Sequence, residues 1–194
     1  MKLDRTLTLV FAGFGGQGVL TAGRIISDMA LMDGINATWL PAYGFAVRGG
    51  KANCVVKLSA GEIGSPCLET IDLLVAMNVP SLEFLAQANP GACVIVNSDL
   101  VRPDEPALAE REDLKVVFVP CDSLARAASN PKAANIVSVG AAVRVLEDFH
   151  AETAVAALKE FFESKGKGRF NDANAAAFMS GYRCDGKAEE KGCV

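Results

Sequence analysis

Residues 7–34 read LTLVFAGFGGQGVLTAGRIISDMALMDG and join three local patterns in direct succession. An apolar run rich in strand formers, residues 7–11, comes first, and the string GFGGQG at 13–18 then removes side chains where the backbone must turn. From Val19 onward, apolar residues recur at helical spacing until Gly34, a residue suited to ending a helix. The stretch therefore predicts a strand, a glycine turn and a helix.

The glycine turn is the first candidate binding site. A helix N-terminus that is reached through glycines presents unpaired N–H groups and the positive end of the helix dipole to an anion. The predicted guest is therefore a phosphate or a carboxylate. An alternative is that the glycines only let the helix pack closely against its strand. The candidate residues are Gly13, Gly15, Gly16, Gln17 and Gly18.

The same glycines match the pattern GxGxxG of dinucleotide-binding proteins. A protein of that class carries an Asp or Glu about 20 residues further on, at the end of the second strand, where it holds the ribose hydroxyls. The corresponding residues 36–43, NATWLPAY, contain no acidic side chain. Binding of NAD is therefore disfavoured.

Two further candidates follow along the chain. Arg48 stands beside Gly49 and Gly50, so its guanidinium can reach a phosphate or a partner's carboxylate; the alternative is a solvated arginine on a loop. Asn78 ends the apolar run 72–78, which has the composition of a buried parallel strand. Ligands in such sheets lie beyond the carboxyl ends of the strands. Asn78 is therefore predicted to line the candidate cleft.

The order of elements predicts a three-layer α/β fold with a mostly parallel, Rossmann-like sheet, helices on both faces and a β-hairpin-like excursion. The excursion comprises two successive strands, 36–40 and 52–59, with Pro41 opening the loop between them. A helix from Ser81, with Ala88 on its core face, is expected before a strand at 92–97. The later elements are a strand at 115–119 and helices at 135–148, with Gly140 allowing close packing, at 151–164 and at 171–182.

Composition limits the classes of function. The 194 residues suffice for one domain, predicted to span 1–183, with a flexible tail at 184–194. A net charge of -4 without a basic stripe disfavours nucleic acid, and no apolar segment has the length of a membrane span. The 51% of hydrophobic residues predicts apolar surface that other chains cover, including a homodimer contact. Cysteines without C-x-x-C pairing predict reduced thiols, a cytoplasmic location and no metal site.

Three motifs occur in a fixed order: GFGGQG at 13–18, YGFAVRGGKANCVV at 43–56 and IGSP at 63–66. In this order and spacing they resemble the gamma subunit of the 2-oxoacid:ferredoxin oxidoreductases, which act on substrates such as pyruvate, 2-oxoglutarate and indolepyruvate. The resemblance covers most of the chain. One departure is that Phe45 and Ala46 stand where many members carry Pro-Glu. Further matches are DLLVAMN at 72–78, PGA at 90–92 and NIVSVGA at 135–141.

The resemblance implies a role in a multisubunit enzyme. It implies CoA-dependent oxidative decarboxylation of a 2-oxoacid, with 2-oxoglutarate or pyruvate the expected substrate. Alpha and beta subunits, and in some complexes a delta subunit, would carry thiamine diphosphate, Mg²⁺ and iron–sulfur clusters and pass electrons to ferredoxin or another acceptor. This chain would then supply no catalytic residue and hold none of those groups alone. The glycine turn and Arg48 would contribute to the coenzyme A channel.

Two other classes of function stay open at this point. One is a stand-alone mononucleotide- or flavin-binding module, which a bound chromophore would reveal. The other is a structural subunit whose glycine loops only fit against a partner. Co-purification from the native host separates both from the first interpretation.

Overall fold

The computed structural model of the chain describes residues 3–43, 50–146 and 149–186. Its strands are β1 (Leu7–Phe14), β2 (Asn36–Tyr43), β3 (Lys51–Ser59), β4 (Ile71–Ala76), β5 (Ala88–Asn97) and β6 (Lys115–Val119). Its α-helices are α1 (Val19–Met32), α2 (Pro106–Ala109), α3 (Cys121–Ala127), α4 (Ala134–Val145), α5 (Ala151–Ser164) and α6 (Asn171–Tyr182). Two 3-10 helices, Val79–Gln87 and Gly168–Phe170, complete the elements.

The six strands form one sheet in the order β2-β3-β1-β4-β5-β6. Strands β1, β4, β5 and β6 are mutually parallel, whereas β3 runs antiparallel to both of its neighbours, β1 and β2. The antiparallel pair β2–β3 is the predicted hairpin-like excursion. The mostly parallel α/β sheet predicted from the sequence is confirmed.

Alternating residues of β1 separate two apolar layers. Leu9 and Phe11 pack in a large cluster with residues of α1, α3, α4, α5 and α6, while Val10 and Ala12 face a smaller cluster with residues of α2 and the longer 3-10 helix. Period-two alternation places successive strand residues on opposite faces of a sheet. Helices therefore cover both faces, as predicted, with most of the helical mass on the α1 side.

Asp72 fixes β1 against β4 at their amino ends. Its carboxylate accepts hydrogen bonds from Thr8 N at 2.8 Å, from Arg5 Nη1 at 2.7 Å and from Asn89 Nδ2 at 2.9 Å. Charge-assisted hydrogen bonds of this kind are stronger than neutral ones. The two strands are thereby held side by side, so that their carboxyl ends also meet.

Strand β2 is longer than predicted. It runs through Pro41 to Tyr43, whereas the sequence placed its end at Leu40 with Pro41 opening a loop. Proline lacks a donor for the ladder and is tolerated in edge strands. Since β2 pairs only with β3 in the described sheet, Pro41 interrupts no second ladder.

The boundary between the longer 3-10 helix and β5 was also predicted wrongly. Ala88 begins β5 and pairs with Ile71, so it does not belong to the preceding helix. The helix begins at Val79, two residues before the predicted start at Ser81, and is capped by Asn78, whose side chain accepts from Ser81 N. Pro80 lies in the first turn of this helix, where a missing N–H costs no intrahelical hydrogen bond.

Helices α4 and α6 cross at two glycines. A Cβ atom on Gly140 would collide with the Phe178 carbonyl oxygen and lie 2.8 Å from Tyr182 N, and a Cβ on Gly181 would collide with the Val137 carbonyl oxygen. The close packing predicted at Gly140 is therefore backbone against backbone. No side chain can be added there without moving a helix.

Candidate functional site

A crevice opens where β1 and β4 lie side by side. Helix α1 leaves β1 toward one face of the sheet, and the longer 3-10 helix leaves β4 toward the other, as their membership of the two apolar clusters shows. In open α/β sheets such a topological switch point is where ligands bind, beyond the carboxyl ends of the strands. The glycine turn, residues 13–18, lies on one side of this crevice and Asn78 on the other.

Backbone hydrogen bonds define the glycine turn. Gln17 N donates to Phe14 O at 3.0 Å, and Gly15 N donates to Gly50 O at 2.8 Å. Gly16 has a φ of 99° and Gly18 a φ of 74°, a region that favours glycine. The turn thus brings Gly50 to the predicted site, while Arg48 and Gly49 lie outside the described residues.

Two of the glycines have a packing role. A Cβ on Gly13 would lie 2.8 Å from Gln17 Oε1 and 2.9 Å from Val19 Cγ1, and a Cβ on Gly18 would lie 2.6 Å from Asn135 Nδ2. These distances are too short for real contacts. Close packing alone is therefore sufficient to explain why glycine occupies these two positions.

Gly15 and Gly16 are different. A Cβ on Gly15 would make an ordinary contact with Gly50 O at 3.7 Å, and among the described residues nothing lies within 4 Å of a Cβ on Gly16. Packing therefore does not explain why both positions lack side chains, although the positive φ of Gly16 favours glycine. The outer surface of the turn is bare backbone beside open space.

N–H groups of the turn and of the first residue of α1 remain available. Among the described residues, no acceptor is found for the amide hydrogens of Gly16, Gly18 and Val19, and α1 has no side-chain N-cap. Unpaired donors at a helix N-terminus attract anions. The N–H group of Gln17 is not available, because it is bonded to Phe14 O.

The side chains of Gln17 and Asn78 bridge the crevice. Gln17 Oε1 accepts from Phe14 N at 2.6 Å and from Asn78 Nδ2 at 2.8 Å, while Gln17 Nε2 donates to Met77 O at 3.3 Å. Asn78 is only 4% exposed, and its Oδ1 accepts from Ser81 N and Ser81 Oγ. We call these two hydrogen-bonded side chains the Gln17–Asn78 brace.

No local sequence pattern marks one residue of the site. Asn135, in the first turn of α4, is mostly buried and donates from Nδ2 to Gly18 O at 3.1 Å. It lies in the segment 135–141 that resembles the gamma subunits, but 117 positions separate the two partners along the chain. Only the packing of α4 beside α1 brings them together.

The cysteines near the site are structural. Burial raises the pKa of the Cys54 thiol to about 12, and its Sγ donates to Val19 O at 3.4 Å beneath the start of α1. Burial also raises the pKa of Cys121. A thiol whose pKa is raised stays protonated at neutral pH and is a poor nucleophile. Neither residue is a candidate for catalysis.

Other features lie away from the turn. A cavity of about 1040 Å³ lies at the amino ends of β1, β4, β5 and β6 and includes none of the predicted site residues. Within the described ranges, no group of three or more His, Cys, Asp or Glu side chains is arranged to hold a metal ion. No helix among the same residues has the length and apolar character needed to cross a membrane.

The sheet order also bears on dinucleotide binding. The strand that follows α1 should lie beside β1 if its end is to hold the ribose, yet β3 separates β2 from β1. With strands about 4.8 Å apart, the end of β2 lies roughly 10 Å from that of β1. Topology and the absence of an acidic residue in 36–43 therefore both argue against a dinucleotide site of the usual kind.

Comparison with known proteins identifies the family. Residues 8–184 match the family model described as pyruvate ferredoxin/flavodoxin oxidoreductase. The chain belongs to this family. The resemblance inferred from the motifs at 13–18, 43–56 and 63–66 is thereby confirmed.

Curated relatives include chains of different lengths. Ketoisovalerate oxidoreductase subunit VorA of Methanothermobacter marburgensis is 37% identical over 137 residues, which are 70% of this chain and 28% of that protein. The chain thus spans less than a third of that relative. The 2-oxoglutarate synthase subunit KorC of the same organism is 30% identical over 174 residues, covering 88% of this chain and 91% of that one.

A solved structure shares the fold over nearly the whole chain. The gamma subunit of keto/oxoacid ferredoxin oxidoreductase from Geobacter sulfurreducens aligns with a TM-score of 0.76 at 26% identity. The alignment covers 92% of this chain and 95% of that one. The arrangement of sheet and helices described above is therefore that of a gamma subunit.

Proposed function

We propose that this chain is the gamma subunit of a 2-oxoacid:ferredoxin oxidoreductase that carries out CoA-dependent oxidative decarboxylation, with 2-oxoglutarate or pyruvate as substrate. Family membership and the similarity to a 2-oxoglutarate synthase subunit over 88% of this chain support this assignment. The chain acts as a subunit of the enzyme and is not catalytic alone.

Within that enzyme, the glycine turn binds the pyrophosphate of coenzyme A. The observation that carries this role is the set of three amide hydrogens, of Gly16, Gly18 and Val19, that lack an acceptor among the described residues beside bare backbone. A pyrophosphate is a diffuse anion that several N–H groups at a helix N-terminus can hold together. Arg48 and Gly49, outside the described residues, are proposed to add a charged contact from the second loop.

Partner subunits complete the active site. Alpha and beta chains, with a delta chain in four-subunit complexes, are proposed to hold thiamine diphosphate with Mg²⁺ and the iron–sulfur clusters, and to reduce ferredoxin or another acceptor. The 2-oxoacid then reacts next to the thiamine, on a different chain from the glycine turn. A homodimer contact of this chain and a cytoplasmic location are further parts of the proposal; the five described cysteines are all unpaired, as is usual in a reducing compartment.

Affinity purification of the tagged chain from its native host tests the assignment. We expect thiamine- and cluster-binding chains to co-purify in stable ratio, and the eluate to reduce an acceptor only when both a 2-oxoacid and CoA are present. The control is the same purification with an unrelated tagged protein from that host. Recovery of the chain alone with a bound flavin would contradict the proposal and favour the stand-alone module.

A further inference from the structure

The crevice between β1 and β4 is occupied by the protein itself. The Gln17 side chain reaches from the turn to the end of β4, where it meets both Met77 O and Asn78 Nδ2. The Gln17 carbonyl oxygen already accepts two hydrogen bonds, which are as many as its two lone pairs receive. An anion is itself an acceptor and is repelled by this oxygen, and the donor Gln17 Nε2 is bonded to Met77 O.

Both polar atoms of the Asn78 side chain are bonded within the protein. Its Oδ1 accepts from Ser81 N at 3.1 Å and from Ser81 Oγ at 2.7 Å, and its Nδ2 donates to Gln17. With 4% of its surface exposed, Asn78 offers little to a ligand in solution. Gln17 and Asn78, predicted from the sequence as candidate binding residues of the cleft, make their described side-chain hydrogen bonds within the protein.

We infer that Gln17 and Asn78 are positioning residues. The brace holds the glycine turn so that the N–H groups of Gly16, Gly18 and Val19 face outward. The anion binds on that outer surface without touching either side chain. The brace ties together three backbone atoms, namely Phe14 N, Met77 O and Ser81 N. A turn rich in glycine has many accessible conformations when free, so fixing one of them lowers the entropy that a ligand must remove on binding. This inference rests on the proposed coenzyme A role of the turn.

Orientation of the Gln17 amide is set by its neighbours. Phe14 N is a donor and Met77 O is an acceptor. The Gln17 side-chain carbonyl must therefore face Phe14 N, and the Gln17 amino group must face Met77 O. Substitution of Gln17 by Met keeps the length of the side chain and removes all three hydrogen bonds. Substitution of Asn78 by Ser keeps an oxygen that can cap the 3-10 helix but removes the donor to Gln17.

A double-mutant cycle on the reconstituted complex tests the brace. In Gln17→Met and in Asn78→Ser we expect the KM for CoA to rise roughly three- to tenfold, the size of one or two net hydrogen bonds, with the KM for the 2-oxoacid unchanged. The double variant should be no worse than the worse single variant, because both changes break one unit. If the two increases multiply, each side chain contacts the ligand independently and the inference is wrong.

Hydrogen exchange of the Phe14 amide supplies a readout that does not depend on CoA. We expect it to accelerate at least about tenfold in Gln17→Met, since Gln17 Oε1 is its acceptor. An unchanged rate would overturn the brace itself. If exchange accelerates but neither variant changes the KM for CoA, Gly16→Asn decides the outcome. A raised KM in Gly16→Asn overturns only the positioning role, and an unchanged one overturns the CoA role of the turn as well.

Discussion

Replacing Gly140 by alanine is expected to destabilise the protein by at least about 3 kcal/mol, a large share of the stability of a typical domain. The added methyl group would collide with the Phe178 carbonyl oxygen, and the next atoms in its way, Tyr182 N and the Phe178 carbonyl carbon, also belong to the backbone of α6. A side chain could rotate away, but a helix backbone must shift as a whole. Gly181→Ala should behave in the same way, because its collision is with the Val137 carbonyl oxygen of α4.

Chemical denaturation followed by circular dichroism measures this effect. Gly64→Ala is the matched control: among the described residues nothing lies within 4 Å of a Cβ at Gly64, and its φ is outside the left-handed region. The control should stay within about 0.5 kcal/mol of the wild type. A Gly140→Ala variant as stable as the control would show that α4 and α6 are not packed as described.

Substitution of Gly16 by asparagine is expected to raise the KM for CoA by about one to two decades in the reconstituted complex, with the KM for the 2-oxoacid nearly unchanged. The side chain at Gly16 projects into the open space where the anion is proposed to bind. Asparagine is chosen because, among residues with a side chain, it tolerates positive φ comparatively well, and Gly16 has a φ of 99°. Any substitution at Gly16 therefore carries backbone strain as well as bulk.

Gly34→Asn separates the two effects. Gly34 has a φ of 74° and nothing within 4 Å of its Cβ position among the described residues, and it lies at the opposite end of α1. It therefore takes the same substitution with similar strain but without proximity to the turn. Equal changes in the KM for CoA in both variants would mean that strain, and not a blocked site, is responsible.

Local patterns predicted several elements to the residue. The helices at 151–164 and 171–182 and the strand at 115–119 have the predicted bounds. The helix at 151–164 is amphipathic, the helix at 171–182 is rich in alanine and the strand at 115–119 is rich in valine, all of which are properties of the element itself. Gly34 ends α1 with a φ of 74°, as expected of a glycine that follows a helix.

The errors arise where the deciding contact is distant in sequence. Pro41 is compatible with β2 only because β2 lies at the edge of the described sheet, and nothing in residues 36–43 shows that position. Ala88 belongs to β5 because it pairs with Ile71. Prediction of the site from sequence is limited in the same way. The glycine turn was predicted from its motif, whereas the Asn135 contact with Gly18 and the brace depend on tertiary packing.

The central claim is that the outer N–H groups of the glycine turn bind coenzyme A. Residue-resolved hydrogen exchange of the reconstituted complex, with and without CoA, tests it most directly. We predict that CoA slows exchange of the Gly16, Gly18 and Val19 amides, that the 2-oxoacid alone does not, and that the already bonded Gln17 amide changes little. Unchanged exchange at all three amides under saturating CoA would contradict the claim and leave the turn with a structural role.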